Sequence, residues 1–170
     1  FPAVGVSVAL VQDDRPVAAA IVAPLLGDAW HAARGAGATW VPPGEAAPVA
    51  CRVSERPVGQ AVVGTGFPFR RKERLDRYLP AFERALRTFE DLRRPGAACL
   101  DLAWVASGVL EGFFELALGP WDVAAGILLI EEAGGVVTDW GGGPDALAGD
   151  ILAGSPGVHD ELLRIAGEGS

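Results

Sequence analysis

The first forty residues run as short apolar stretches cut by turns. "VGVSVALVQ" alternates small, polar and apolar positions from Val4 to Gln12, as a strand does. "DDRP" is a turn, and "VAAAIVAP" is a second apolar strand ended by Pro24. "DAWHAARG" and "GATWVP" predict a third and a fourth short strand around Gly35 and Gly37, and Pro42 to Pro48 reads as a loop. The pattern then changes. "QAVVGTG" predicts a short buried strand, and Arg71 to Phe89 a long amphipathic helix with Leu75, Leu79, Phe82, Leu86 and Phe89 at helical spacing. Pro80 sits inside that helix, where a kink or a break is expected.

"DLRRPG" reads as a strand and turn, and Ala97 to Ala106 as a helix stopped by Gly108. "GFFELAL" reads as a strand, Asp122 to Ala133 as a helix stopped by Gly134 and Gly135, "GVVTDW" as a strand and "GGGPD" as a loop. "DILAGS" predicts the last strand, and Val158 to Ala166 a closing helix. A meander followed by alternating strands and helices predicts an α+β chain with an antiparallel sheet first and an α/β layer after it. The expected division is 1–57 as the remnant of an antiparallel-sheet domain and 58–170 as an α/β domain.

Composition narrows the function classes. Half of the 170 residues are hydrophobic, so the chain is globular. No apolar run reaches the roughly 18–20 residues of a membrane span, and Phe1 to Leu10 lacks a basic secretory leader. Cys51 and Cys99 fit no zinc or redox spacing and read as free thiols of a reducing cytoplasm. The net charge of −8 argues against non-specific nucleic-acid binding. The basic cluster Arg70, Arg71, Lys72, Arg74 and Arg77 is interleaved with Glu73 and Asp76 and reads as a solvated helix face. There is no Met, no Asn and a single Lys, a bias that fits a thermophile or a high-GC genome equally. Without an initiator Met, the chain is expected to be processed or part of something longer.

One carboxylate stands out. Asp122 follows Pro120 at the front of a helix that is apolar on nearly every side and therefore buried. A first-turn Asp is stabilised by unpaired N–H groups, so a helix cap is one reading. A ligand to a hard cation is the other, because Glu115 in the apolar strand just upstream also needs compensation. Gly96, Ala97 and Ala98 open another helix whose bare N–H groups suit an oxyanion or hydroxyl. Asp101, in the first turn of that helix, reads as structural.

"PWDVAAGILLIEEAGG" resembles the second signature of the inositol monophosphatase family, the lithium-sensitive, magnesium-dependent sugar-phosphate phosphatases. "FPAVGVSVAL", "VVGTGFPFR" and "RRPGAACLDLAWVASGVLEGFFELAL" resemble family segments in the same order. The resemblance implies an αβαβα sandwich, with the antiparallel sheet only partly contained in this chain. It implies a cytoplasmic, homodimeric enzyme that hydrolyses inositol monophosphate with Mg2+. Asp122 is similar to a magnesium ligand of the family, and Glu115 to a residue that binds a substrate hydroxyl. Gly96, Ala97 and Ala98 are similar to a segment along the inositol ring. Ala97 departs from that pattern, since family members often carry a hydroxyl there.

The family's first signature, DPxDGT, and a further Glu would precede Phe1. The resemblance therefore assigns no catalytic residue to these 170 positions and implies that the segment alone is inactive. Fructose 1,6-bisphosphate, histidinol phosphate and nucleotide 3′-phosphates are alternative substrates, and a non-catalytic regulatory or interaction module is the alternative class.

Overall fold

The computed structural model describes residues 2–45 and 47–167. The meander is present. Strands β1 (Val6–Gln12), β2 (Arg15–Ala23), β3 (Asp28–Ala33), β4 (Ala38–Val41) and β5 (Val49–Ala50) form one antiparallel sheet in chain order. Only the two-residue β5, at the end of the Pro-rich loop, carries no strand pattern of its own. Strand alternation sets the two faces. Ala19, Ile21 and Trp30 point inward, and Trp30 stacks on Trp40 with ring centroids 6.3 Å apart. The larger residues of β1 do the reverse: Val6, Val8 and Leu10 lie exposed on the outer face, where Val6 stands opposite the exposed Val22.

The second sheet has the order β7-β6-β8-β10-β9. It contains β6 (Val62–Thr65), β7 (Asp91–Arg93), β8 (Gly112–Glu115), β9 (Val136–Asp139) and β10 (Ile151–Gly154). Strand β6 is parallel to β7 and β8, whereas β10 is antiparallel to β8 and β9. Helices α2 (Ala98–Ala106) and α3 (Pro120–Glu132) fill the space between the two sheets. Helices α1 (Leu75–Thr88) and α4 (Pro156–Gly167) cover the far face of the second sheet. The fold is thus a mixed α+β sandwich, and among the described residues the layers run sheet, helices, sheet, helices. One core joins Ile21 and Trp30 to Leu102, Leu128 and Ile151, so both sheets share it across α2 and α3.

The two inner helices are apolar all round because both of their long sides are covered. They approach closely at Gly126, where an added Cβ would lie 2.4 Å from Leu102 Cβ. Among the described residues no helix is long and apolar enough to cross a membrane.

Helix α1 corrects the sequence reading. It runs unbroken through Pro80, and its buried residues are Tyr78, Ala81 and Ala85. Leu79 and Leu86, expected on the inner face, are 50% and 55% exposed. The helix is rotated by about one residue, because alanines allow a close approach to α4. Arg84 locks that rotation, donating from Nε and Nη2 to the Ile165 carbonyl at 2.9 and 2.6 Å. The basic cluster is also not one helix face. Arg74 and Arg77 clamp α1 to Asp150, at 3.3 and 2.7 Å, while Arg70 and Arg71 lie before α1 in the loop that borders the site.

Candidate active site

Strands β6, β7 and β8 are parallel to one another, and their carboxyl ends open on one side of the sheet. Clefts in α/β layers form there, where strands end and helices begin. A cleft of about 440 Å³ occupies this position. Its walls include Thr65 and Gly66 after β6, Arg94 after β7, the Gly96–Ala98 entry to α2, Glu115 at the end of β8 and Asp122 at the start of α3. The structure therefore brings Gly96, Ala97, Ala98, Glu115 and Asp122 to one cavity.

Local geometry explains each placement. Gly96 has φ +98°, a left-handed turn suited to glycine, and swings the chain from β7 into α2. Ala97 is the N-cap residue and offers no side-chain bond. The first returning bonds run from the Leu100 and Asp101 N–H groups to the Ala97 carbonyl, so Ala98 and Cys99 N–H have no acceptor within the helix.

Asp122 is the third residue of α3. Its Oδ2 accepts the Gly119 N–H at 2.9 Å. Gly119 has no side chain to return the bond, so only the Asp122 half of a capping box exists. Oδ1 has no hydrogen-bond partner among the described residues.

Glu115 lies between Asp122 and Arg94 in electrostatic terms. Burial, then the neighbouring Asp122 charge, pushes its carboxyl up to about 7, and Arg94 pulls the other way. The carboxylate packs against the bare backbone of Gly66, where an added Cβ would sit 2.1 Å from Oε2. Below it, Thr65 Oγ1 donates to the Phe114 carbonyl at 2.7 Å and lies 2.7 Å from the Tyr78 hydroxyl, which fixes the end of β6 against β8.

Asp101 is the residue that sequence reasoning placed differently. Its side chain makes no hydrogen bond among the described residues, is buried and lines the cleft, and the residue is 1% exposed, with Oδ1 unpartnered. Burial first, then the Glu115 charge, pushes its carboxyl up to about 8, opposed by Arg94. Its first-turn position signalled a dipole-stabilised carboxylate; its burial depth had no sequence signal. Arg94 was also missed as a wall residue. Its guanidinium lies over Phe67 and Phe69, 5.8 and 5.4 Å from the ring centroids.

The donor set can be tested against Mg2+. Among the described residues no group of three His, Cys, Asp or Glu side chains is arranged to hold a metal ion. A complete protein cage is therefore not present in these residues. Asp122 does fit a single ligand position: a hard oxygen donor, pinned on one side and unbonded on the other. Magnesium is commonly held by one or two carboxylates together with water and substrate phosphate.

Comparisons with known proteins identify the family and the fold. Residues 1–168 match the inositol monophosphatase family. A putative Nus factor SuhB of Neisseria meningitidis serogroup B is 40% identical over 166 residues, covering 96% of this chain and 61% of that protein. The crystal structure of the extragenic suppressor protein suhB from Bartonella henselae superposes with a TM-score of 0.89 at 37% identity, covering 99% of this chain and 63% of that one. An inositol monophosphatase from Anabaena superposes with a TM-score of 0.86 at 35% identity, over 96% of this chain and 64% of that one. The chain thus spans about three-fifths of the length of the relatives it matches. By its sequence match and its fold, the chain belongs to the inositol monophosphatase family.

Proposed function

We propose that this chain supplies the sugar-binding wall and one magnesium ligand of a phosphomonoesterase that hydrolyses inositol monophosphate to inositol and phosphate. The observation that carries the proposal is the convergence of Asp122, Glu115 and the α2 entry on one cleft at the ends of three parallel strands. Bound Mg2+ supplies charge to the phosphoryl oxygens and lowers the pKa of a bound water. Asp122 gives that ion an oxygen ligand, and its bond to Gly119 holds the carboxylate in place. Glu115, when ionised, accepts a hydrogen bond from a sugar hydroxyl and so orients the ring. The Ala98 N–H, left without an acceptor in the helix, faces an electron-rich oxygen of the substrate, and Ala97 adds backbone contact but no side-chain hydroxyl. Arg94, held beside the Phe67 and Phe69 rings, balances the carboxylates. Activity belongs to the complete protein, in a cytoplasmic homodimer.

Asp122→Asn tests this reading. Asn caps a helix about as well as Asp, so thermal stability should hardly change. Removing the charge that a cation needs should cost several kcal/mol of transition-state stabilisation, about 100-fold or more in phosphate release, and raise the magnesium requirement. An active Asp122→Asn enzyme with unchanged magnesium dependence rejects the ligand role.

A second reading is a regulatory or interaction module on the same fold. The name Nus factor, carried by the Neisseria relative, favours it. Under that reading the expectation of no nucleic-acid partner lapses, because net charge bears only on non-specific binding. A folded wild-type protein with no turnover of any sugar phosphate in Mg2+ would select this reading over the first.

A further inference from the structure

A second cavity, of about 670 Å³, lies at the opposite end of β8 from Glu115 and shares no wall residue with the candidate active site. β10 pairs Ile151 with Glu115 and Gly154 with Gly112, so the two sites are separated by about 10 Å along the strand direction. The N-terminus of α4 forms the floor. The helix begins with Pro156, which has no N–H, and its first returning bond runs from His159 N–H to the Ser155 carbonyl at 2.8 Å. The Gly157 and Val158 N–H groups therefore have no acceptor within the helix.

Ser155 stands where a side chain would ordinarily cap those donors, and it does not. Ser155 is 5% exposed, lines the cavity and makes no side-chain hydrogen bond among the described residues. A hydroxyl without a partner, on a residue that is otherwise buried, beside two free N–H groups is the donor set of an oxyanion site.

The rim carries matching charge. Arg52 has no ion-pair or hydrogen-bond partner among the described residues, and Arg56 reaches Glu111 only at 3.7 Å. Glu111 is itself committed to the Val62 N–H at 2.7 Å. Glu55 is the one carboxylate in the wall. The C-terminus of α3 also meets this cavity, and there the Ile130 and Ala133 carbonyls already accept from the Gly135 and Val53 N–H groups at 2.9 and 3.2 Å. Two open N–H groups, the Ser155 hydroxyl and two arginines against a single wall carboxylate favour a ligand that accepts hydrogen bonds. The cavity's volume exceeds a phosphate ion and suits a small organic molecule, and Val53, Pro57 and Val58 give it an apolar side.

We propose that this cavity binds an organic phosphate monoester. The phosphate sits on Ser155 Oγ and the Gly157 and Val158 N–H groups, within reach of Arg52 and Arg56, and the organic body lies against Val53, Pro57 and Val58. The proposal is independent of chemistry at the first cleft.

Amide NMR of the chain in a magnesium chelator tests it, with phenyl phosphate and inorganic phosphate as separate probes. Phenyl phosphate should shift the Gly157 and Val158 amides saturably and bind more tightly than inorganic phosphate. The Ser155→Ala, Arg52→Gln double variant should weaken binding by roughly tenfold or more with an unchanged melting temperature. Arg52→Gln alone, a surface change, serves if the double variant does not fold. Unmoved Gly157 and Val158 amides, shifts confined to Ala98 and Cys99, or undiminished binding by the variants overturns the site. Equal affinity for the two probes overturns the organic class of ligand.

Discussion

Asp101→Asn should make the metal-free protein more stable at neutral pH. Asp101 is buried with Oδ1 unpartnered, and its carboxyl is pushed from 3.8 up to about 8. In the unfolded chain the group ionises near its ordinary value, so between about pH 4 and pH 8 the folded state holds a proton that the unfolded state has lost. The native state then binds more protons, and stability falls as pH rises through that window. At about pH 7 the difference is some three pKa units, or about 4 kcal/mol at 1.36 kcal/mol per unit. Residual denatured-state structure and coupling to Glu115 reduce the measurable share to about 2–4 kcal/mol. Asn reproduces the shape of the protonated form and has nothing to titrate. Urea unfolding of both proteins in chelator, across the acid to mildly alkaline range, reads the difference directly. The two curves should meet near pH 4 and separate steadily toward pH 8, with the variant above. A pH-independent difference, or a less stable variant at pH 8, would refute the assignment of Asp101 as a buried, unfavourably placed acid.

Glu115→Gln should lower sugar-phosphate turnover by the complete protein more than hydrolysis of a plain aryl phosphate, because Glu115 is assigned to the sugar; equal losses on both substrates would reject that role. Gly126→Ala should destabilise the fold by about 1–3 kcal/mol in chemical unfolding, since the new Cβ meets Leu102 Cβ at 2.4 Å and overpacking outweighs the helix-propensity gain of about 1 kcal/mol. Mg2+ added at about pH 7 should release protons, because a cation beside Asp122 lowers the raised pKa of Glu115. Calorimetric titration in two buffers of different ionisation enthalpy measures this release, which should vanish once the pH lies well above about 8.

The positions of the candidate residues in the fold were more legible than the packing that surrounds them. Gly96, Ala97, Ala98, Glu115 and Asp122 stand at strand ends and helix starts, and those boundaries are written in the switch between periodicities. Once β6, β7 and β8 are parallel, their ends must open on one side. Which face of α1 turns inward is a different kind of information. Its sequence carries two stripes one residue apart, Leu75, Leu79 and Leu86 beside Tyr78, Ala81 and Ala85. Hydrophobicity alone favours the leucines, and the close approach to α4, with the Arg84 bonds to Ile165, selects the alanines. Arg70 and Arg71 escaped for a similar reason. A charge run was read as one face, whereas the chain turns within it, so part borders the cleft and part clamps Asp150.

The cap and the ligand readings of Asp122 meet in one carboxylate. Gly119 precedes α3 without a side chain, so the bond from its N–H to Asp122 Oδ2 is the side-chain bond that closes the helix start. That bond needs an acceptor oxygen and no charge, and Asn would provide it. The charge has a cost: it helps raise the carboxyl of Glu115, whose own charge raises Asp101. A helix start that can be capped by a neutral side chain has no reason to hold a third carboxylate where two others are already pushed toward protonation. Under the proposed ligand role, a cation at Asp122 would offset those repulsions by its attraction for all three carboxylates, and the cap would then serve a second purpose. It would hold one oxygen of Asp122 still, through the Gly119 N–H, and leave the other for the cation.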